Sequence, residues 1–201
     1  MDVDSTFIAA EQIDLLAGYA GSQDRVAAIT ERAMRGELDF AASLRERVAT
    51  LAGLGVEAFD AARAEISFTP GALELVAEFA ERGWPVGLVS GGFHEIVDPL
   101  VADLPITRVQ ANRLEAVDGA LTGRVDGPIV DRATKARFLR TLAADVGVAL
   151  PDTIAIGDGA NDLDMIAVAG LGVAFAAKPV VAAAADLALP GPRLDAVLAH
   201  L

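Results

Sequence analysis

Thr153-Ile154-Ala155-Ile156-Gly157-Asp158-Gly159-Ala160-Asn161-Asp162 runs from a short apolar segment, through an aspartate set between two glycines, into a helical pattern. The segment Thr153 to Ile156 reads as a buried strand, and Asn161 to Ala169 as the helix after it. An aspartate between glycines just past such a strand has few structural reasons to exist. A carboxylate there suits a hard divalent ion such as Mg2+, because open parallel sheets collect their ligands beyond the carboxyl ends of the strands. The alternative for Asn161 and Asp162 is capping of the next helix.

The same rhythm extends outward. After Thr69-Pro70-Gly71, Pro70 suits a first helical position, and Ala72 to Arg82 is an amphipathic helix closed by Gly83. Val86 to Val89 is a strand, Phe93 to Asp103 a helix, Ile106 to Gln110 a strand, and Asp118-Gly119 a hairpin turn within Leu114 to Val125. Thr134 to Val146 is a helix and Gly172 to Phe175 a strand. Alternating strands and helices with apolar strands predict an α/β fold, a Rossmann-like parallel sheet covered on both faces. Residues 11–68 break the pattern. Their apolar residues recur at helical spacing throughout, with stops at Gly21, Gly36 and Gly53. We expect a catalytic core of residues 1–10 and 72–201, with residues 11–71 forming a helical cap inserted over the active edge.

Composition narrows the function. At 201 residues and 53% hydrophobic, the chain can bury a sizeable core. A net charge of −13 with no basic stripe argues against a nucleic-acid partner. The absence of cysteine removes disulfides, thiolate ligands and thiol nucleophiles, and fits a cytoplasmic location. With only His94 and His200, a histidine-rich zinc site is excluded. The most apolar tract, Ile166 to Leu189, is broken by Lys178-Pro179 and Asp186, so no membrane partner is expected. A homodimer is the assembly the sequence leaves open.

Three further pieces join the first. Asp2 and Asp4 lie two apart on an extended segment, and read as a nucleophile and a general acid. Ser90-Gly91-Gly92 follows a strand, and a hydroxyl with unhindered backbone N–H groups suits phosphate oxygens. Lys135, one of two lysines in the chain, supplies an ammonium able to neutralise a phosphate and a nucleophile together. Taken singly, each has a bland alternative: an exposed acidic terminus, an ordinary strand-to-helix turn, a solvated helix lysine. In this order, at predicted strand ends or on the next helix, they converge on one sheet edge and read as metal-assisted phosphoryl transfer through a carboxylate.

The order and the motifs resemble the haloacid dehalogenase superfamily, with Asp2-Val3-Asp4-Ser5-Thr6, Ser90, Lys135 and Gly157 to Asp162 as its four motifs. Asp2 to Glu11, Phe40 to Arg47, Leu88 to Phe93, Ala111 to Leu114 and Ala177-Lys178-Pro179 resemble the phosphoserine phosphatase family more narrowly. The resemblance implies Mg2+ held by Asp2, the backbone carbonyl of Asp4, and Asp158. It implies an aspartyl-phosphate on Asp2, with Asp4 as acid and then base. It implies that Ser90, Gly91 and Lys135 hold the phosphoryl oxygens beside Gly92, that Asn161 contacts the substrate, and that Asp162 orients Lys135 or the metal shell. The cap would supply Glu11 for the ammonium of O-phosphoserine, Arg47 for its carboxylate, and Phe40 as a pocket wall. Related small phosphomonoesters such as phosphohomoserine are alternative substrates.

The family pattern has an apolar strand leading into the nucleophile, and here only Met1 precedes Asp2. The strands Val86–Val89 and Thr153–Ile156 would then lose a shared neighbour. The expectation is that the natural protein starts upstream, with an inactive fragment as the rival reading of this chain.

Overall fold

The computed structural model describes residues 1–201. Four helices come first, α1 (Gln12–Tyr19), α2 (Gln23–Met34), α3 (Phe40–Ala49) and α4 (Ala58–Glu65). Then follow α5 (Ala72–Glu81), β1 (Gly87–Phe93), α6 (His94–Leu100), β2 (Arg108–Val117), β3 (Ala120–Asp126) and α7 (Arg132–Asp145). The chain ends with β4 (Ile154–Gly157), α8 (Leu163–Val168), β5 (Leu171–Phe175), α9 (Pro179–Ala182) and β6 (Leu187–Leu189).

β1 pairs parallel with β2, and β4, β5 and β6 pair parallel in that order. The first residues of the chain lie between these halves. The Met1 amino group donates to the Gly87 carbonyl at 2.8 Å, Val89 N–H donates to the Met1 carbonyl at 3.0 Å, and Asp2 N–H donates to the Ile156 carbonyl at 2.9 Å. Met1 and Asp2 are thus the shared neighbour of β1 and β4, beside Gly87 to Val89 on one side and Ile156 on the other. Behind Met1 the two strand edges flank an apolar cavity of about 730 Å3, lined by Trp84, Val86, Phe138 and Ile154 among others.

Two apolar cores match the two patterns in the sequence. One joins α5 to the sheet: Ala72, Leu75, Val76 and Phe79 recur on one helix face and pack with Leu88, Ile156 and Val173. The other lies under the first four helices, where Ile13, Leu16, Leu44, Val48 and Leu51 meet Phe93, Ile96, Leu114 and Leu121. The helical segment therefore buries its stripe against the end of the sheet that carries the expected site.

Two attachments join these layers. Residues 7–9 and 67–69 form a short antiparallel neck, with Ala9 N–H donating to Ser67 O at 2.9 Å and Thr69 N–H to Phe7 O at 3.0 Å. The β2–β3 hairpin makes the second. Gly53 N–H donates to Leu121 O, Leu121 N–H to Leu54 O, and Val56 N–H to Gly119 O, at 2.8, 2.8 and 3.0 Å. The hairpin turns on Asp118 and Gly119, both with positive φ (50° and 79°), which is why Asp-Gly marked it in the sequence.

Several expectations need correction. Not among them are the stops at Gly21, Gly36 and Gly53, where the chain does reverse, each left-handed with φ of 62°, 78° and 86°. Pro70 lies outside α5, whose N-cap is Gly71 at φ 82°. Ser90-Gly91-Gly92 does not follow the strand but is part of β1, which carries a register irregularity between Val89 and Phe93.

Candidate active site

Lys135 is where the site begins. The carboxylate of Asp131 caps α7 by accepting from Thr134 N–H at 2.8 Å. That sets the helix so that Lys135 joins the buried stripe of Phe138, Leu139 and Leu142, and its side chain is 0% exposed. A buried ammonium needs partners. It has two: Asp2 Oδ1 at 2.5 Å and Asp162 Oδ1 at 2.6 Å. Burial alone would lower the Lys135 pKa, but these carboxylates outweigh it and hold the pKa above its usual value. Burial, with Asp162 nearby, pushes the Asp2 carboxyl upward, while Lys135 pulls it down.

Asp158 completes a cluster at the end of β4. Oxygen atoms of Asp2, Asp158 and Asp162 lie within 4.8 Å of one another. Burial, then Asp162 and Glu11, raises Asp158 to about 6. Three carboxylates face one ammonium. At such distances each like-charged pair costs about 3–4 kcal/mol at an effective dielectric of ~20. A hard divalent cation with oxygen ligands offsets that cost, so the donor set fits Mg2+. Asp162 is the least free of the three, since its other oxygen accepts from Gly159 N–H at 3.0 Å. Gly157 has no room for a side chain, because a Cβ there would overlap the Asp162 carboxylate.

Asp4 faces the other way. It lies half-buried, and both its oxygens accept from Gln12: Oδ1 from the side-chain amide at 2.5 Å and Oδ2 from the backbone N–H at 3.2 Å. Burial and the Glu11 charge push its carboxyl up to about 7, against these hydrogen bonds. Such a group can give or take a proton near neutrality.

A cavity of about 500 Å3 connects these groups to the helical layer. Asp2, Asp4, Asp158, Gly91, Gly92, Asn161 and Lys178 all line it. Phe40, at the start of α3, contributes a wall and lies against Gly91. Glu11 and Arg47 also line the cavity. Glu11 accepts from the Ser5 hydroxyl at 2.5 Å. Arg47 is half-buried with no carboxylate within ion-pairing distance; its one hydrogen bond goes to Ser43 O at 3.4 Å. Ser90 sits behind the wall, fully buried, its hydroxyl accepting from Gly92 N–H at 2.7 Å.

Two supporting residues escaped the sequence reading. Asn112 donates to Gly91 O and accepts from Val130 N–H, both at 2.8 Å, and so clamps the glycine stretch. Gln12 also accepts from Phe93 N–H at 2.9 Å. The only signal for Asn112 was its place in a stretch quoted for resemblance, and Gln12 gave none.

With this parallel sheet and its buried lysine–carboxylate cluster at the strand ends, the chain belongs to the haloacid dehalogenase-like hydrolase family, whose pattern matches residues 1–167. Within that family it is similar to several phosphoserine phosphatases. It is 58% identical over 198 residues to a phosphoserine phosphatase of Streptomyces coelicolor, covering 98% of this chain and 48% of that protein. It is 54% identical to a phosphoserine phosphatase of Streptococcus thermophilus, covering 98% of this chain and 92% of the relative. The chain thus spans about half the length of some curated relatives and nearly all of others. Among solved structures, a substrate-bound phosphoserine phosphatase complex superposes with a TM-score of 0.94 at 40% identity, covering 100% of this chain and 95% of that one. A phospho-aspartyl intermediate analogue of phosphoserine phosphatase gives 0.93 at 40% identity, covering 100% and 96%. No helix is long and apolar enough to cross a membrane.

Proposed function

We propose that this chain hydrolyses O-phosphoserine to serine and phosphate through an aspartyl-phosphate on Asp2. The observation that carries the reading is Arg47, a half-buried guanidinium without a carboxylate partner, lining the same cavity as Glu11, Asp2 and Asp4. A zwitterionic head would meet both charges, with its carboxylate on the Arg47 fork and its ammonium at Glu11. The phosphoryl group would then reach the floor.

There an Asp2 oxygen attacks phosphorus as the P–O bond to serine breaks, and Asp4 gives its proton to the departing serine oxygen. Asp4 next takes a proton from a water whose oxygen attacks the same phosphorus, freeing phosphate and restoring Asp2. The Gly91 N–H, the Ser90 hydroxyl (which itself receives the Gly92 N–H) and Lys135 hold the phosphoryl oxygens, and Asn161 contacts the substrate. Mg2+, held by Asp2, Asp158 and the Asp4 carbonyl, would supply positive charge against phosphate and nucleophile when bound.

Phosphate release from phosphoserine, phosphohomoserine and sugar phosphates, each with and without Mg2+, tests the reading. Preference for phosphoserine, lost on chelation, supports it; equal rates on all three, or none on any, overturn it. Arg47→Ala should raise KM for phosphoserine about 10–100-fold, the worth of a charge-assisted hydrogen bond, and change KM for p-nitrophenyl phosphate much less. Asp158→Asn should raise the Mg2+ concentration needed for half-maximal activity at least about tenfold, read from a metal titration.

A further inference from the structure

Gln12 is 0% exposed, although glutamine is a polar residue in the first turn of a helix. Its burial is repaid by full use of its amide. Nε2 donates to Asp4 Oδ1, Oε1 accepts from Phe93 N–H, and its backbone N–H donates to Asp4 Oδ2. One residue therefore grips both oxygens of Asp4, fixing the carboxyl plane and leaving its other lone-pair directions open. The same side chain is anchored on β1, directly after Gly91 and Gly92. Gly92 makes room for it, since a Cβ there would overlap the Gln12 amide. The distance between the proton donor and the phosphate-holding backbone is thus set by a single buried amide.

We propose that Gln12 is a positioning residue that holds Asp4 against the leaving oxygen, and so fits this site to phosphate esters of weakly acidic alcohols. The proposal rests on the reading of Asp4 as the proton donor. An alkoxide from serine is a poor leaving group and needs that proton as the P–O bond breaks. A nitrophenolate leaves without it. Loss of the Gln12 grip should therefore fall unequally on the two kinds of ester, whereas a merely structural role would lower both together.

The test is kcat/KM for phosphoserine divided by kcat/KM for p-nitrophenyl phosphate, which reports phosphorylation of the enzyme and not its later hydrolysis. Gln12→Met keeps the length and volume of the side chain and removes the amide. It should lower this ratio about 10–100-fold, part of the 10²–10⁴ typical of general acid catalysis. Gly92→Ala, which displaces the Gln12 amide from the opposite side, should move the ratio in the same direction. It serves as the test if Gln12→Met does not fold. A wild-type enzyme without activity on phosphoserine overturns the proposed function and this inference with it. A wild type active on phosphoserine, with the ratio unchanged in the variants, overturns the inference alone.

Discussion

Asp2→Asn should reduce turnover of phosphoserine by at least about 10⁴-fold, the scale seen when a covalent nucleophile is removed. Affinity for the substrate should stay within a few-fold of wild type, because the proposed contacts to the serine head are made by Glu11 and Arg47 and not by Asp2. Rapid quenching with labelled phosphoserine should trap a phosphorylated wild-type protein and no phosphorylated variant. The carboxylate of Asp2 stands 2.5 Å from the ammonium of Lys135 and within 4.8 Å of Asp158 and Asp162. No other carboxylate has both that cationic support and a path to the cavity. A variant keeping a tenth of normal turnover would remove Asp2 from the nucleophile role.

Lys135→Met should injure fold and catalysis at once. Breaking a buried ion pair from one side typically costs about 3–5 kcal/mol, since the abandoned charges stay buried. For a chain of this size that is a fall in Tm of roughly 6–20 °C. Here two carboxylates, 5% and 0% exposed at the side chain, lose their ammonium together. Turnover should drop about 10²–10³-fold, as the proposed role of Lys135 as a preorganised donor to the phosphoryl group requires. Millimolar Mg2+ should recover part of the lost Tm, because an ion that binds only the folded cluster stabilises it by mass action. An unchanged Tm without Mg2+ would contradict the cluster as described.

The late motif was legible because an aspartate between glycines at a strand end has few structural uses, even though Asp162 also caps the turn that follows. Glycines flank Asp158 where β4 ends, and the structure shows why one of them is glycine: Gly157 must clear the Asp162 carboxylate. Lys135 was half-legible. Scarcity singled it out, but only the cap at Asp131 decides that it turns inward. The Ser90-Gly91-Gly92 stretch was placed after the strand and not within it because glycine pairs carry no strand propensity. What keeps them extended is distant in sequence, namely Asn112 clamping Gly91 and Gln12 holding Phe93. Gln12 was invisible for a similar reason. Its burial depends on the missing side chain of Gly92, eighty positions away. The strand β6 was passed over because three residues after an alanine run leave no period to read.

The paired fastenings of the helical layer, at the neck of residues 7–9 with 67–69 and at the β2–β3 hairpin, set how it can move. A plate held at these two places, and by Gln12 on Phe93 near the neck, keeps most readily the rotation about the line from neck to hairpin. Breathing of the proposed substrate cavity should then be a roll on that axle, with both ends bonded throughout. Slow amide hydrogen exchange at Leu121 and Thr69, unaltered by a bound substrate analogue, is the signature of such an axle; rapid exchange at either would mean that one pin lets go.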